Sequence, residues 1–217
     1  PYFGNVQYAE LMDFCYVWLR RLVGEGAPGF QLPSTRNAAE LTGNLNMGRG
    51  IDQFTEGLSA VFRKMAAALK NGAPLAFTYH HNRLEAYLPA AVALLDAGFV
   101  CTASLPCPAE MGASIHISGT GSSIVDTVFV NRTTGTVKQS MLPETPVELA
   151  ELVRVDLELL KQGGVNPTAG DTRCLTFGHL TRLAVWNLHV GWNTGISTQN
   201  KLKKVSKWYD DFKNSQK

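Results

Sequence analysis

The sequence predicts an α/β domain followed by a helical C-terminal extension, and three patterns carry that expectation. Stretches with apolar residues at i, i+3, i+4 and i+7 alternate with short apolar runs of strand type, as helices layered on a sheet require. Glycines close the helical stretches at Gly72, Gly98 and Gly163. Beyond residue 144 only helical periodicity remains. The division is therefore residues 1–143, an α/β domain with an excursion at 24–50, and residues 144–217, a helical extension with a lysine-rich tail.

In chain order, Leu11, Phe14, Cys15, Trp18, Leu19 and Leu22 share one face of a helix over residues 6–22, with Trp18 as a packing residue. Residues 24–50 carry too many Gly and Pro for a regular element beyond a turn of helix at "AAEL", and read as a long mobile excursion. Asp52 caps a second helix lined by Phe54, Leu58, Phe62, Met65 and Leu69. "PLAFTY" follows as a strand apolar on both faces, the pattern of a central strand covered on either side, with Phe77 among its packing residues. Asn82 and Glu85 form a capping-box pattern ahead of Leu84, Leu88, Ala91 and Leu95, while Pro89 must bend that helix or displace its start. "FVCTASLP" and "SIVDTVFVNR" are the remaining strands. "TPVE" at 145–148 combines a Thr cap, a Pro in the first turn and a Glu at the third position. A further helix spans about residues 172–188, before a tail with six lysines among Trp208, Tyr209 and Phe212.

A chain of 217 residues is long enough for one sizeable core, and its net charge of +2 makes any anion site a local matter. Cys15, Cys101, Cys107 and Cys174 are scattered without C-x-x-C pairs, which points to reduced thiols, away from a zinc site or disulfide framework. No stretch approaches the roughly 20 apolar residues of a membrane helix, and no signal-peptide layout opens the chain. A soluble, cytoplasmic protein with no membrane partner is expected.

The chain opens "PYFGNVQYAEL" and continues "YVWL" at 16–19, and further on "LKNGAPLAFTY", "DAGFVCTASLP" and "SSIVDTVFVNR" follow one another. This order resembles the C-terminal half of the Rossmann-like S-adenosylmethionine-dependent methyltransferases: strands 5, 6 and 7 with flanking helices, the seventh antiparallel. The opening resembles the adenine-specific DNA methylases whose [Asp/Asn/Ser]-Pro-Pro-[Tyr/Phe] tetrapeptide runs straight into such a helix. The resemblance covers about residues 1–132 and places Pro1 and Tyr2 as the last two residues of the tetrapeptide. It implies transfer of a methyl group from S-adenosylmethionine to the N6 amine of adenine in DNA, with restriction-modification as the setting. A conjugated exocyclic amine is a poor nucleophile and must be drawn out of the ring plane, and the base must be flipped out of the duplex to reach the site. By this resemblance Tyr2 is the residue that stacks on the base, and Pro1 aims it.

The polar residue and first proline of the tetrapeptide are absent, as is the glycine-rich loop that holds the methionine part of the cofactor. "SGTGSS" at 118–123 precedes a strand and reads as a flexible turn. The chain is therefore expected to be a fragment, inactive by itself, that needs a missing N-terminal half or a companion chain, and its cofactor-binding residues stay unknown. Substrate contacts are assigned to Tyr2, Phe3, Asn5, His80 and Glu110: Tyr2 as the tetrapeptide's own aromatic, Phe3 and Asn5 by adjacency to it, His80 as a strand-end residue that His81 rivals, Glu110 on the loop after "FVCTASLP". Each has a plainer reading: an aromatic staple for "PYF", a carbonyl-bonded histidine, a surface carboxylate. His80, His81 and Glu85 lack zinc spacing, so no metal is expected. The lysine tail reads as a solvated end, and the 24–50 excursion is the candidate DNA-facing segment. Two other functions fit the same pattern: methylation of guanine N2 in RNA, and a non-catalytic nucleic-acid-binding or assembly subunit of the same fold.

Overall fold

The computed structural model describes residues 3–4, 7–24, 26–37, 40–109, 123–133 and 142–215. These form a mixed α/β structure with six α-helices and a three-stranded antiparallel sheet. In chain order the elements are α1 (Tyr8–Val23), α2 (Ile51–Ala68), β1 (Leu75–Tyr79), α3 (Leu88–Asp96), β2 (Val100–Pro108), β3 (Val125–Arg132), α4 (Pro146–Gln162), α5 (Ala169–Leu188) and α6 (Thr198–Lys213). The last strand lies between the other two, in the order β1-β3-β2, and is antiparallel to both, so β1 and β2 run parallel to each other.

Helices collect on one face of the sheet. Phe77 pairs with Phe129 across β1 and β3, their rings 5.4 Å apart, and Phe62 of α2 lies 5.0 Å from Phe77. On the same face α5 comes so close that a Cβ on Gly178 would stand 2.7 Å from Thr127 Cγ2 and 2.9 Å from Ser104 Oγ. The opposite face is open: Ala76 and Thr78 are exposed, as is Leu105 at 49%. β1 is thus an edge strand among the described residues, covered on one side only, and its apolar composition comes from small and aromatic residues that alternate between the covered and the open face.

The central element is α3, all nine residues of which are buried. Pro89 sits in its first turn, where no N–H is required, and a short 3₁₀ segment Leu84–Tyr87 precedes it, so the proline displaces the start of the helix and leaves it straight. Asn82 accordingly caps nothing, since the 3₁₀ turn begins after Arg83 without a side-chain cap. α2 likewise starts after Gly50, with Asp52 inside its first turn. Thr145 does cap α4, accepting from Glu148 N at 3.2 Å. α5 opens on a full capping box between Thr168 and Asp171.

α3 ends on Asp96, which gathers two other helices and the link between α5 and α6. Its Oδ2 accepts from Lys201 Nζ of α6 at 2.9 Å and from Arg63 Nη2 of α2 at 3.1 Å, and its Oδ1 accepts from Trp192 Nε1 at 2.9 Å. Lys201, the first lysine of the tail, is only 5% exposed. The helices of residues 144–217 therefore share one core with the sheet: α5 lies on β2 and β3, and α6 on α3.

α1 departs from its expected role. None of its residues is buried, Trp18 is 56% and Leu22 82% exposed, and the apolar face that periodicity marks as a packing face looks outward. Its inner side is held by polar contacts to the 24–50 segment instead. Asp13 accepts from Thr35 N and Thr35 Oγ1, each at 2.6 Å, and from Ser34 Oγ at 2.7 Å, which together hold its carboxyl below the usual carboxylate range. Tyr16 stacks on Phe30 at 5.2 Å. The described part of that excursion is consequently clamped to α1.

Asp96→Ala strands the buried Lys201 ammonium and is expected to cost about 3–5 kcal/mol in urea unfolding, while an Asp96→Leu/Lys201→Met pair recovers most of that loss. Gly178→Ala is expected to destabilise by about 1–3 kcal/mol in the same measurement, although alanine favours a helix, because the added methyl overlaps Thr127 and Ser104.

Candidate functional site

The carboxyl end of β1 is the place where chemistry-bearing residues meet. Tyr79, its last residue, is fully buried; its hydroxyl donates to the Ala86 carbonyl at 2.5 Å and bonds to the backbone of Phe3. The start of the described chain is thereby fastened to the tip of a strand. Phe3 packs its ring 5.1 Å from Phe54 of α2 and lies flat on Gly43, where any Cβ would fall 2.7 Å from the ring.

Beside Phe3 opens a cavity of about 640 Å³, within the size range of small-molecule sites. His81, Asn82, Arg83 and Glu85 form one wall, Gly43, Asn44 and Arg49 another, and Phe3, Ile51 and Ala86 supply apolar surface. One glutamine and one arginine hold the second wall in place. Gln7 Nε2 donates to the Gly43 carbonyl at 2.8 Å and Gln7 Oε1 accepts from Asn44 Nδ2 at 3.0 Å. Arg49, 5% exposed, donates to Glu40 Oε2 at 3.0 Å and to the Asn37 carbonyl at 2.8 Å. Glu40 in turn accepts from Ala9 N in the first turn of α1, so one carboxylate joins the helix start to the cavity wall.

The two strand-end histidines part company. His80 turns inward, its Nδ1 3.4 Å from Cys174 Sγ, in a cluster where Tyr87 Oη and Thr127 Oγ1 lie 3.6 and 3.5 Å from the same sulfur. Burial lowers the His80 pKa and raises that of Cys174, which leaves a neutral imidazole beside a neutral thiol. A thiol in that state is a packing group, not a nucleophile. His81 reaches the cavity. Its Nδ1 accepts from Arg83 N at 3.0 Å, so in the neutral ring Nε2 carries the proton and is the donor. Burial lowers the His81 pKa too, which favours that neutral form.

A buried carboxylate, Asp171, stands near His80. Asp171 Oδ1 accepts from Ser123 Oγ and Ile124 N, both at 2.7 Å, and from Val125 N at 3.0 Å, and Oδ2 accepts from Thr168 N at 2.5 Å. It pins the start of β3 to the start of α5, opposite His80.

Of the expected substrate contacts, the structure brings Phe3 to the cavity and places His80 behind it. Pro1, Tyr2, Asn5 and Glu110 lie outside the described residues. Asn44, Arg49 and Arg83 entered the site without being singled out from the sequence; an arginine set between glycines in "MGRG" is the one local sign of them. Among the described residues no group of His, Cys, Asp and Glu is arranged to hold a metal ion, and no helix is long and apolar enough to cross a membrane. Nor, among those residues, does any strand run through a glycine-rich turn into a helix: β1 leads into the 3₁₀ turn and α3, and β2 ends before residue 110.

No family model, no curated protein and no solved structure matches the chain.

A histidine whose pKa is depressed in the fold binds fewer protons there than in the unfolded chain, whose imidazoles titrate near 6.5. Its contribution to stability is complete above that value and drains away as pH falls below it. The melting temperature is expected to drop between pH 7.5 and 5.5, and a His80→Gln/His81→Gln variant to show a smaller drop over the same interval.

Proposed function

We propose that this chain supplies the base-binding side of a nucleic-acid methyltransferase that methylates the N6 amine of adenine in DNA, as part of a larger sheet. The observation that carries the reading is the attachment of Phe3 to Tyr79: the residues that follow "PY" are fixed at the carboxyl end of a strand, on the rim of a cavity large enough for a purine. In α/β proteins ligands gather at that end of the strands. Two further features support it. Two mutually parallel strands with a last strand antiparallel to them agree with the strand directions the resemblance implies. The walls also offer mixed hydrogen-bonding groups, with the Nε2 donor of His81 beside the amides of Asn44 and Asn82, suited to the acceptor and donor edge of a base.

In this reading the chain contributes positioning, and the grip on the amine and on S-adenosylmethionine comes from polypeptide outside it. Its edge strand β1, with one open face, is where the remainder of a sheet would join. A non-catalytic subunit of the same fold is the competing reading, favoured by the lack of a glycine-rich cofactor turn among the described residues.

The test is methyl transfer from tritium-labelled S-adenosylmethionine to DNA and to RNA, with the modified nucleoside identified by mass spectrometry. The chain alone is expected to transfer nothing, and a longer product that carries further sequence ahead of Pro1 to yield N6-methyladenine in DNA. In that product Tyr2→Ala is expected to lower turnover roughly tenfold to hundredfold, the worth of one base–aromatic stack. N2-methylguanine in RNA would reassign the substrate. No transfer and no cofactor binding by the longer product would leave the non-catalytic reading.

A further inference from the structure

A separate cavity of about 380 Å³ lies where the last turns of α5 and α6 meet the segment ahead of α4. Its walls include the rings of Trp186, Trp208 and Phe212 and the carboxylates of Glu144 and Asp211. None of these residues belongs to the cavity beside Phe3. Trp208 and Phe212 stand one turn apart on α6 and stack at 5.2 Å, while Trp186 on α5 is braced by His189 at 5.6 Å. All three are half-buried, so each ring is held in place while part of its surface remains open.

Among the described residues that line this hollow, the charged groups have one sign. Glu144 and Asp211 are exposed, and among the described residues neither is engaged by a lysine or arginine; Lys213, in the last turn of α6, reaches Asp210 instead, at 3.9 Å. Trp186 and Asn187 lie in the last turn of α5 and Asp211 and Phe212 in that of α6, so two helix carboxyl ends add partial negative charge at the same place. Aromatic faces attract cations through their quadrupoles, and they do so best when the cation is weakly hydrated.

We propose that this cavity binds a small methylated ammonium ion. The rings and Leu142 receive the methyl groups, and Glu144 and Asp211 supply the counter-charge. A primary ammonium keeps its water and gains less from three aromatic surfaces. A zwitterion such as glycine betaine or phosphocholine brings an anion that the two carboxylates repel. The ligand class is therefore a quaternary amine without an adjacent negative group.

The probe is choline, titrated into the full chain and followed by the indole N–H resonances of Trp186 and Trp208 in ¹H–¹⁵N spectra, assigned with Trp→Phe variants. Saturable shifts of those two signals are expected, with the indole signals of Trp18 and Trp192 unmoved. Apparent affinity for choline is expected to exceed that for its neutral isostere 3,3-dimethylbutan-1-ol by at least about tenfold, and that for phosphocholine or glycine betaine by at least about threefold. Glu144→Gln/Asp211→Asn, at exposed positions that leave the core untouched, is expected to erase most of the preference over the isostere. Equal binding of the isostere would overturn the proposal in favour of an apolar slot, equal shifts of all four indoles would show non-specific association, and no saturable shift up to about 50 mM would remove the site altogether.

Discussion

The fold depends on how a buried carboxylate at the end of its most buried helix is satisfied. Asp96 closes α3, where the helix dipole disfavours negative charge, so its position is tenable only because cations are brought to it. Arg63 comes from α2, Lys201 from α6, and Trp192 from the link between α5 and α6. Each bond fixes an element relative to α3, and the sheet then rests on the same bundle through Phe62, Phe77 and Phe99. Apolar burial supplies the driving force. The carboxylate adds registry, because its three partners come from two helices and a link that must all reach the same end of α3.

A similar device recurs at the tip of the sheet. Asp171, with no exposed surface, accepts from the backbone at the start of β3 and at the start of α5. A third polar contact, His179 Nε2 to Asp156 Oδ2 at 2.7 Å, ties α5 to α4. Polar pairs buried this deeply add less net stability than apolar replacements of the same shape, but they are costly to misplace. Behind the turn that follows β1, His80 and Cys174 are held neutral by burial. The cavity beside Phe3 has one wall in that turn, from His81 to Glu85, and one of loop residues anchored by Gln7, Glu40 and Arg49.

What the sequence disclosed followed from local chemistry. Thr145 and Glu148 announce a helix start because the cap is made within four residues, and Pro89 permits only two outcomes, both visible in advance. The composition of alternating helices and strands was enough for the α/β class. The partners of Asp96 were not legible, since Lys201 and Asp96 are 105 positions apart and the lysine looks like one of many in a polar tail. Periodicity gave α1 an apolar face correctly but carries no information on whether anything covers it, so Trp18 was assigned to a core it does not join. The same limit applies to "PLAFTY", whose apolar letters hide an open face at Ala76 and Thr78. For the candidate site, the strand end named from the sequence is where the cavity beside Phe3 opens. Which of His80 and His81 faces outward depends on the turn that Tyr79 and Ala86 make, a matter of tertiary contact alone.

The outward strip of α1 has a consequence for how this polypeptide behaves in bulk solution. Leu11, Phe14, Trp18 and Leu22 give an adhesive ridge, and neutral salts that weaken charge repulsion leave its water-driven stickiness intact. The net charge of +2 offers little long-range repulsion to keep such ridges apart. Preparations of this chain will keep best dilute and at low ionic strength, where the ridges of separate molecules meet least often.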